Sequence, residues 1–248
     1  MDDSKRSCIV SQFQQFAELN GAEKALLQEL EQSPVTYAAG DLLAEAGLRS
    51  EYFFTIVEGW VCAERTLEDG RCQVLDLFTP GQIAGLREIT FHSNLCDFRA
   101  LTPVVACPFP RKQLNVIFDQ VPRLGDLLFL VLAREQSMLV ERVINIGRRN
   151  AAERLAHFLV EIKARLHSKS DVIELPMTQS AIGDALSLSA VHVSRTFQQL
   201  CELGLISKDQ ACIRIMDLEA LIEFGGFERA YLQVDAGWAR TQPLNPAA

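Results

Sequence analysis

No stretch of this chain approaches the ~18–20 consecutive apolar residues that a membrane-spanning helix needs, although 48% of its 248 residues are hydrophobic. Its start, Met1-Asp2-Asp3-Ser4-Lys5-Arg6, is polar and leads into no signal-peptide core. The expectation is a cytoplasmic protein without a membrane partner. Paired cysteines are missing too: Cys8, Cys62, Cys72, Cys96, Cys107, Cys201 and Cys212 are scattered, with no C-x-x-C spacing. That leaves no clustered ligand set for zinc or an iron–sulfur centre and suits reduced thiols that behave as small buried hydrophobes. A thiol sensor stays open, because one low-pKa cysteine is enough for it. Histidine is scarce, with only His92, His157, His167 and His192, and no nucleophile–base constellation is visible, so an enzyme is not expected. Positive charge is short as well: 24 Lys and Arg face 32 Asp and Glu, a net charge of −8. Binding to nucleic acid survives that balance, since only one face of one domain must be positive to engage phosphates.

What is present changes texture along the chain, and the length suits one large or two modest domains. Residues 11–33 read as a short amphipathic helical lead-in, with Phe13, Phe16, Leu19, Leu26, Leu27 and Leu30 at helical spacing. Pro34 ends it. From Val35 to Pro110, short β-rich runs such as Tyr52–Val57 and Gln73–Phe78 alternate with glycine turns, which predicts a sandwich or barrel. Asp69-Gly70 is its sharpest hairpin signal, read as a type I′ turn. From about Gln113 to Gly147 the pattern is one long helix, with Leu124, Leu128, Leu132, Leu139, Val143 and Ile146 in a stripe. One small barrel cannot cover such a stripe, so a partner helix, and hence a homodimer, is the natural cover. Glu135 and Arg142 lie on or near that seam.

Gly147-Arg148-Arg149-Asn150 interrupts the helix, and Asn150 with Glu153 forms a capping-box pattern. A new helix carries Leu155, Phe158, Leu159, Ile162 and Leu166 on one face. Val172–Leu175 reads as a short strand, and Thr178 caps a helix over Gln179–Ala185. A second helix runs from Ala190 to Leu203 and stops at Gly204. Leu205–Ser207 and Cys212–Ile215 flank a turn at Lys208-Asp209-Gln210-Ala211, a two-strand wing. Asp217 caps a last helix, Leu218–Phe224, and Thr241–Ala248 reads as a frayed end. The expected division is a barrel over 1–112, a dimerisation helix and hinge over 113–149, a winged helix-turn-helix over 150–224, and a tail over 225–248.

Two helices joined by a tight turn and followed by a wing make the helix-turn-helix pattern. With the glycine-punctuated stretch, the long helix and the capped hinge, in that order, the chain resembles the CRP/FNR superfamily of bacterial transcription regulators. The segments that carry the likeness are Thr178-Gln179-Ser180-Ala181-Ile182-Gly183, Val193-Ser194-Arg195-Thr196 and Gly204-Leu205-Ile206. The Ala190–Arg195 run is similar to that of a branch of alphaproteobacterial regulators. The resemblance implies an α+β architecture: a jelly-roll barrel like a cyclic-nucleotide-binding domain as sensor, a long dimerisation helix, and a C-terminal winged helix-turn-helix. It implies double-stranded DNA as partner, RNA polymerase as well if the protein activates, and an unknown small-molecule effector at the barrel. Thr178, Gln179, Ser180, Ser189, Ala190, Val191, His192, Ser194, Arg195 and Lys208 are the expected DNA-binding residues. The family's usual Glu-x-x-Ser-Arg has Val191 at its glutamate position here. Valine cannot accept from cytosine N4, so the operator should differ at that base, while Arg195 can still read guanine.

The sensor departs further. Cyclic-AMP-binding members carry Gly-Glu-x-Leu and, about ten residues on, an Arg-Ser or Arg-Thr pair that holds the phosphate. This chain reads Gly85-Leu86-Arg87-Glu88 and has Asn94-Leu95 near the arginine position. Cyclic-nucleotide binding is therefore not expected; Gly85, Leu86, Arg87, Glu88, Asn94 and Arg99 are the candidate effector residues. Neither haem, for which His92 and Cys96 would be the ligands, nor an iron–sulfur cluster is expected. The competing reading is a small-molecule-binding barrel protein or scaffold that has lost operator binding.

Overall fold

The computed structural model describes residues 7–167 and 169–237. Among them the chain divides into two compact units, one of residues 7–63, 77–136 and 234–237, the other of 64–76 and 137–233. The expected Thr241–Ala248 end lies outside the described residues.

The first unit opens with two helices rather than one lead-in: α1 (Cys8–Phe13) and α2 (Gly21–Leu30). The break is chemical. Asn20 accepts from the Glu23 amide while the Glu23 carboxylate accepts from the Asn20 amide, so a fresh helix starts there. Along the chain the strands are β1 (Val35–Tyr37), β2 (Leu42–Ala44), β3 (Tyr52–Glu58), β4 (Val61–Thr66), β5 (Cys72–Phe78), β6 (Ile83–Ala84), β7 (Asp97–Ala100) and β8 (Val104–Pro110), of which the end of β4 and most of β5 belong to the second unit. They form two four-stranded sheets ordered β1-β8-β3-β6 and β2-β7-β4-β5, the double-sheet jelly roll expected. The β4–β5 turn is not type I′. Only Gly70 takes positive φ, and the Leu67 amide donates to the Arg71 carbonyl, the pattern of a type I turn closed by a left-handed glycine.

A 3-10 turn over Arg111–Gln113 leads into α3 (Leu114–Gln120), and α4 spans Pro122–Arg148. The sequence suggested one helix from Gln113. The interruption follows from Pro122, which pushes the residue before it out of helical backbone; Val121 sits at φ −138°, ψ 74°. The core of this unit joins α1, α2, β3, β6, β8, α3 and the first half of α4 around Phe13, Leu27, Phe53, Phe109, Ile117 and Leu124. Phe53 and Phe109 stack at 4.8 Å. Buried Glu23 takes both its oxygens to the Arg123 guanidinium at 2.7 and 2.8 Å, tying α2 to α4.

The second unit is built on α5 (Ala151–Arg165). Its capping box at Asn150 and Glu153 forms as the sequence suggests. Then come β9 (Val172–Glu174), α6 (Gln179–Leu186), α7 (Ala190–Glu202), β10 (Ile206–Asp209), β11 (Cys212–Ile215) and α8 (Leu218–Gly225). The wing is three-stranded, β10-β11-β9, and its turn narrows to Gln210-Ala211 because Gln210 adopts φ +51°. Helix α8 lies close against α5 where Gly225 meets His157: a β-carbon there would stand 2.6 Å from the His157 nitrogen. Arg142 faces this unit's interior rather than a seam. It pairs with Asp76 and Glu161, bonds the Leu75 carbonyl, and shares both carboxylates with Arg165.

Candidate nucleic-acid interface and barrel site

The turn between α6 and α7 is held by small residues at fixed places. Thr178 caps α6 by accepting from the Ala181 amide at 3.1 Å. Ser187 ends α6 in the left-handed conformation. The Leu188 amide reaches back to the Gly183 carbonyl at 2.9 Å, and a β-carbon at Gly183 would lie only 2.3 Å from the Leu188 oxygen. The chain thus turns within van der Waals range of α6, which requires glycine. Ser189 then caps α7, accepting from the His192 amide at 3.2 Å.

The cap fixes which face of α7 is free. Val193, Thr196, Phe197 and Leu200 are buried, while Ala190, Val191, His192, Ser194, Arg195 and Gln199 are exposed. Ser189, Val191, His192, Arg195 and Gln199 together line a shallow cleft of about 270 Å³. Thr178, Gln179 and Ser180 are exposed at the start of α6. Lys208 is exposed on the wing and holds its ammonium 5.4 Å from the Phe197 ring centre.

The arrangement of α6, turn, α7 and wing has known relatives. Residues 153–224 match the family model described as a Crp-like helix-turn-helix domain, and residues 34–121 match the cyclic nucleotide-binding domain. The chain belongs to the CRP/FNR superfamily. It is 28% identical over 186 residues to the nitrogen fixation regulation protein FixK of Bradyrhizobium diazoefficiens, covering 74% of this chain and 78% of that one. It is likewise 28% identical over 213 residues to the transcriptional activatory protein AadR of Rhodopseudomonas palustris, covering 85% and 88%. The structure of FixK2 from Bradyrhizobium japonicum superposes with a TM-score of 0.73 at 25% identity, over 77% of this chain and 96% of that one. This chain is accordingly a DNA-binding transcription regulator with a cyclic-nucleotide-binding-like domain.

The residues after β6, where the resemblance to cyclic-AMP-binding members would put the ligand contacts, are turned inward on themselves. Leu86 is 1% exposed and belongs to the hydrophobic core. Glu88 is completely buried. One of its oxygens accepts from the Leu95 amide at 2.6 Å, and the other receives the Arg87 guanidinium at 2.8 and 3.0 Å. The Cys96 thiol lies 3.6 Å from the same carboxylate. Burial, reinforced by the Glu88 charge, pushes the Cys96 thiol up to about 12. It is thus a protonated donor, not a reactive thiolate, and burial raises Cys72 as well. The donors that could grip an anionic ligand instead grip the chain's own carboxylate.

The remaining candidate effector residues scatter. Asn94 is buried and donates to the Glu45 carbonyl at 3.0 Å, which makes it a loop anchor. Arg99 is not brought together with the others. On β7 the buried positions are Phe98 and Ala100, so Arg99 lies on the opposite face and donates to the Gly40 carbonyl at 2.9 Å. Gly85, at φ +84°, makes the turn before Leu86. The Glu88 arrangement escaped the sequence reading because it depends on the Leu95 amide, and no side-chain pattern records a backbone donor.

Proposed function

We propose that this chain works as a homodimer on an imperfectly palindromic operator, with α7 in the major groove and a barrel that does not receive cyclic nucleotides. The observation that carries the reading is the free face of α7. Arg195, His192, Val191 and Gln199 share one cleft, with Ser189 and the exposed α6 start of Thr178, Gln179 and Ser180 beside it to engage phosphates. Arg195 reads guanine, Val191 meets a thymine methyl, and Ser194 and Lys208 approach the backbone.

The exposed side of α4 supports the dimer. Phe129, Leu132, Gln136, Leu139, Val143 and Ile146 follow one another at three- and four-residue steps, a heptad seam; Phe129, Gln136 and Val143 are exposed, while Leu132, Leu139 and Ile146 are half-buried and Leu132 also packs against the first unit's core. Leu124 and Leu128, expected on that seam, are buried in the first unit's own core, which removes them from it. The proposed division of labour keeps 1–112 as barrel, 113–149 as dimer helix and hinge, 150–224 as DNA-binding domain and 225–248 as tail. An effector at the barrel, RNA polymerase as partner of an activating form, action in the cytoplasm and the absence of enzymatic activity belong to the same reading. No helix among the described residues is long and apolar enough to cross a membrane.

Selection of bound fragments from random DNA tests it. A palindrome with half-site centres one helical turn apart, about 10–11 base pairs, is expected. Arg195→Ala should weaken binding to the selected site by ~1–3 kcal/mol per half-site and relax one symmetric position. A protein whose Arg195→Ala variant binds the selected site as wild type does is not reading bases with α7.

A further inference from the structure

The first unit carries a second feature that neither the Glu88 site nor the recognition helix uses. An open cleft of about 670 Å³ lies between the segment leading into β3 and the end of β8. Arg49, Arg111 and Lys112 line it, His92 stands beside them, and Glu51 is its one carboxylate. Three permanent cations against one anion make it positive in a chain whose net charge is −8. Arg49 meets Glu51 only at 3.9 Å, with both side chains exposed, a pairing too weak to neutralise either. Among the described residues Lys112 has no ion-pair partner. Backbone contacts preform the walls: the Arg111 amide donates to the Glu51 carbonyl at 2.8 Å, Arg49 bridges to Ser93, and the Arg111 side chain is anchored on the Phe91 carbonyl at 2.9 Å.

A separate observation points to a ligand. Ser50, in the cleft lining, is 2% exposed, and its hydroxyl is buried without any hydrogen-bond partner. Buried polar groups are overwhelmingly paired, and an orphan in a cleft wall asks for a missing partner. We propose that this cleft binds a phosphorylated small molecule, its dianionic phosphoryl group held by Arg111, Lys112 and Arg49 and bonded by the Ser50 hydroxyl. The volume lies within the range of small-molecule sites, roughly 300–1,000 Å³. Arginine forks match tetrahedral oxyanions in geometry as well as charge.

Calorimetric titration of the full chain with inorganic pyrophosphate, at ionic strength held constant with sodium chloride, tests the assignment. Saturable binding at one site per chain is expected, with a submillimolar Kd. Lys112→Gln and Ser50→Ala should each weaken it several-fold; Lys112 is exposed, so the first variant keeps the fold. Arg195→Ala should bind pyrophosphate as wild type does, which separates this cleft from any phosphate affinity of the DNA-reading face. Heats no different from salt dilution would overturn the proposal, as would Lys112→Gln and Ser50→Ala variants that bind unchanged, or loss of binding in Arg195→Ala. So would Lys112-dependent binding of a poly-glutamate peptide without pyrophosphate binding, which would mark the cleft as a dock for an acidic protein surface.

Discussion

The self-liganded carboxylate makes a prediction whose sign runs against a simple count of contacts. Glu88 and Arg87 form one ion pair, but the Arg87 side chain is 39% exposed and that of Glu88 only 1%. Remove the carboxylate by Glu88→Gln, and the guanidinium recovers water through its exposed edge. The Leu95 amide keeps an acceptor if the new amide oxygen faces it. Remove the arginine by Arg87→Ala, and a fully buried carboxylate keeps one amide and one thiol, with no countercharge. Stranding a buried charge costs about 3–5 kcal/mol, and losing one buried hydrogen-bond partner about 1–3. Glu88→Gln should therefore cost about 1–2 kcal/mol and Arg87→Ala about 3, the latter taken at the low end because the pair is partly solvated. The double variant should be more stable than Arg87→Ala alone, since it strands nothing. Urea unfolding followed by circular dichroism, with the midpoints compared at constant slope, measures all three. Strict additivity, or a Glu88→Gln cost at or above that of Arg87→Ala, would refute the claim that this carboxylate is held as an internal anion.

Three further predictions rest on other parts of the molecule. Gly183→Ala would force a methyl against the Leu188 carbonyl; it should lower affinity for the selected operator at least tenfold, by band shift, while helical content falls little. Burial between Phe227 and Tyr231 pulls the His157 pKa below its ordinary value. The unfolded chain then takes up the proton first, so stability is full above about pH 6.5 and declines as pH falls through the lowered folded value; His157→Gln should flatten the melting temperature between pH 7.5 and 5. On α4, Val143→Lys should yield a monomer by light scattering at micromolar concentration. Gln136→Leu should tighten the dimer, because a polar residue in a heptad seam sacrifices stability for register.

The helix-turn-helix was legible in the sequence almost residue by residue. Its signals are local: Thr178, Ser189 and Asp217 are caps whose partners lie three residues on, and Gly204, at φ +71°, is a stop. The jelly roll was legible as a class, because glycine turns and short apolar runs recur at close spacing. What the sequence concealed was non-local. Helix α4 is apolar on two faces, and periodicity cannot say which one its own domain covers. The stripe through Leu124 and Leu128 therefore looked continuous with Leu132, whereas the structure sends the first two inward and leaves Phe129 exposed. Arg142 likewise looked like a flaw in a seam until Asp76 and Glu161, distant in sequence, were seen to receive it.

The filled anion position also bears on where a signal could enter. A phosphate arriving at the Leu95 amide must first expel Glu88 from a site where it is fully buried and triply bonded. Displacing that carboxylate into apolar surroundings costs several kcal/mol. Reversing a two-state equilibrium from 1:99 to 99:1 itself takes about 5.5 kcal/mol of differential binding. A ligand at the barrel interior would have to supply both. At the Arg49–Lys112 cleft nothing needs to be expelled, the cations are already in place, and the Ser50 hydroxyl lacks the partner a ligand would bring. Only the part of a ligand's binding energy that differs between two states of the protein can switch it, and at this cleft none of that part is spent on expelling an internal anion. On energetic grounds the better place to look for an effector is therefore outside the nucleotide pocket from which the domain takes its name.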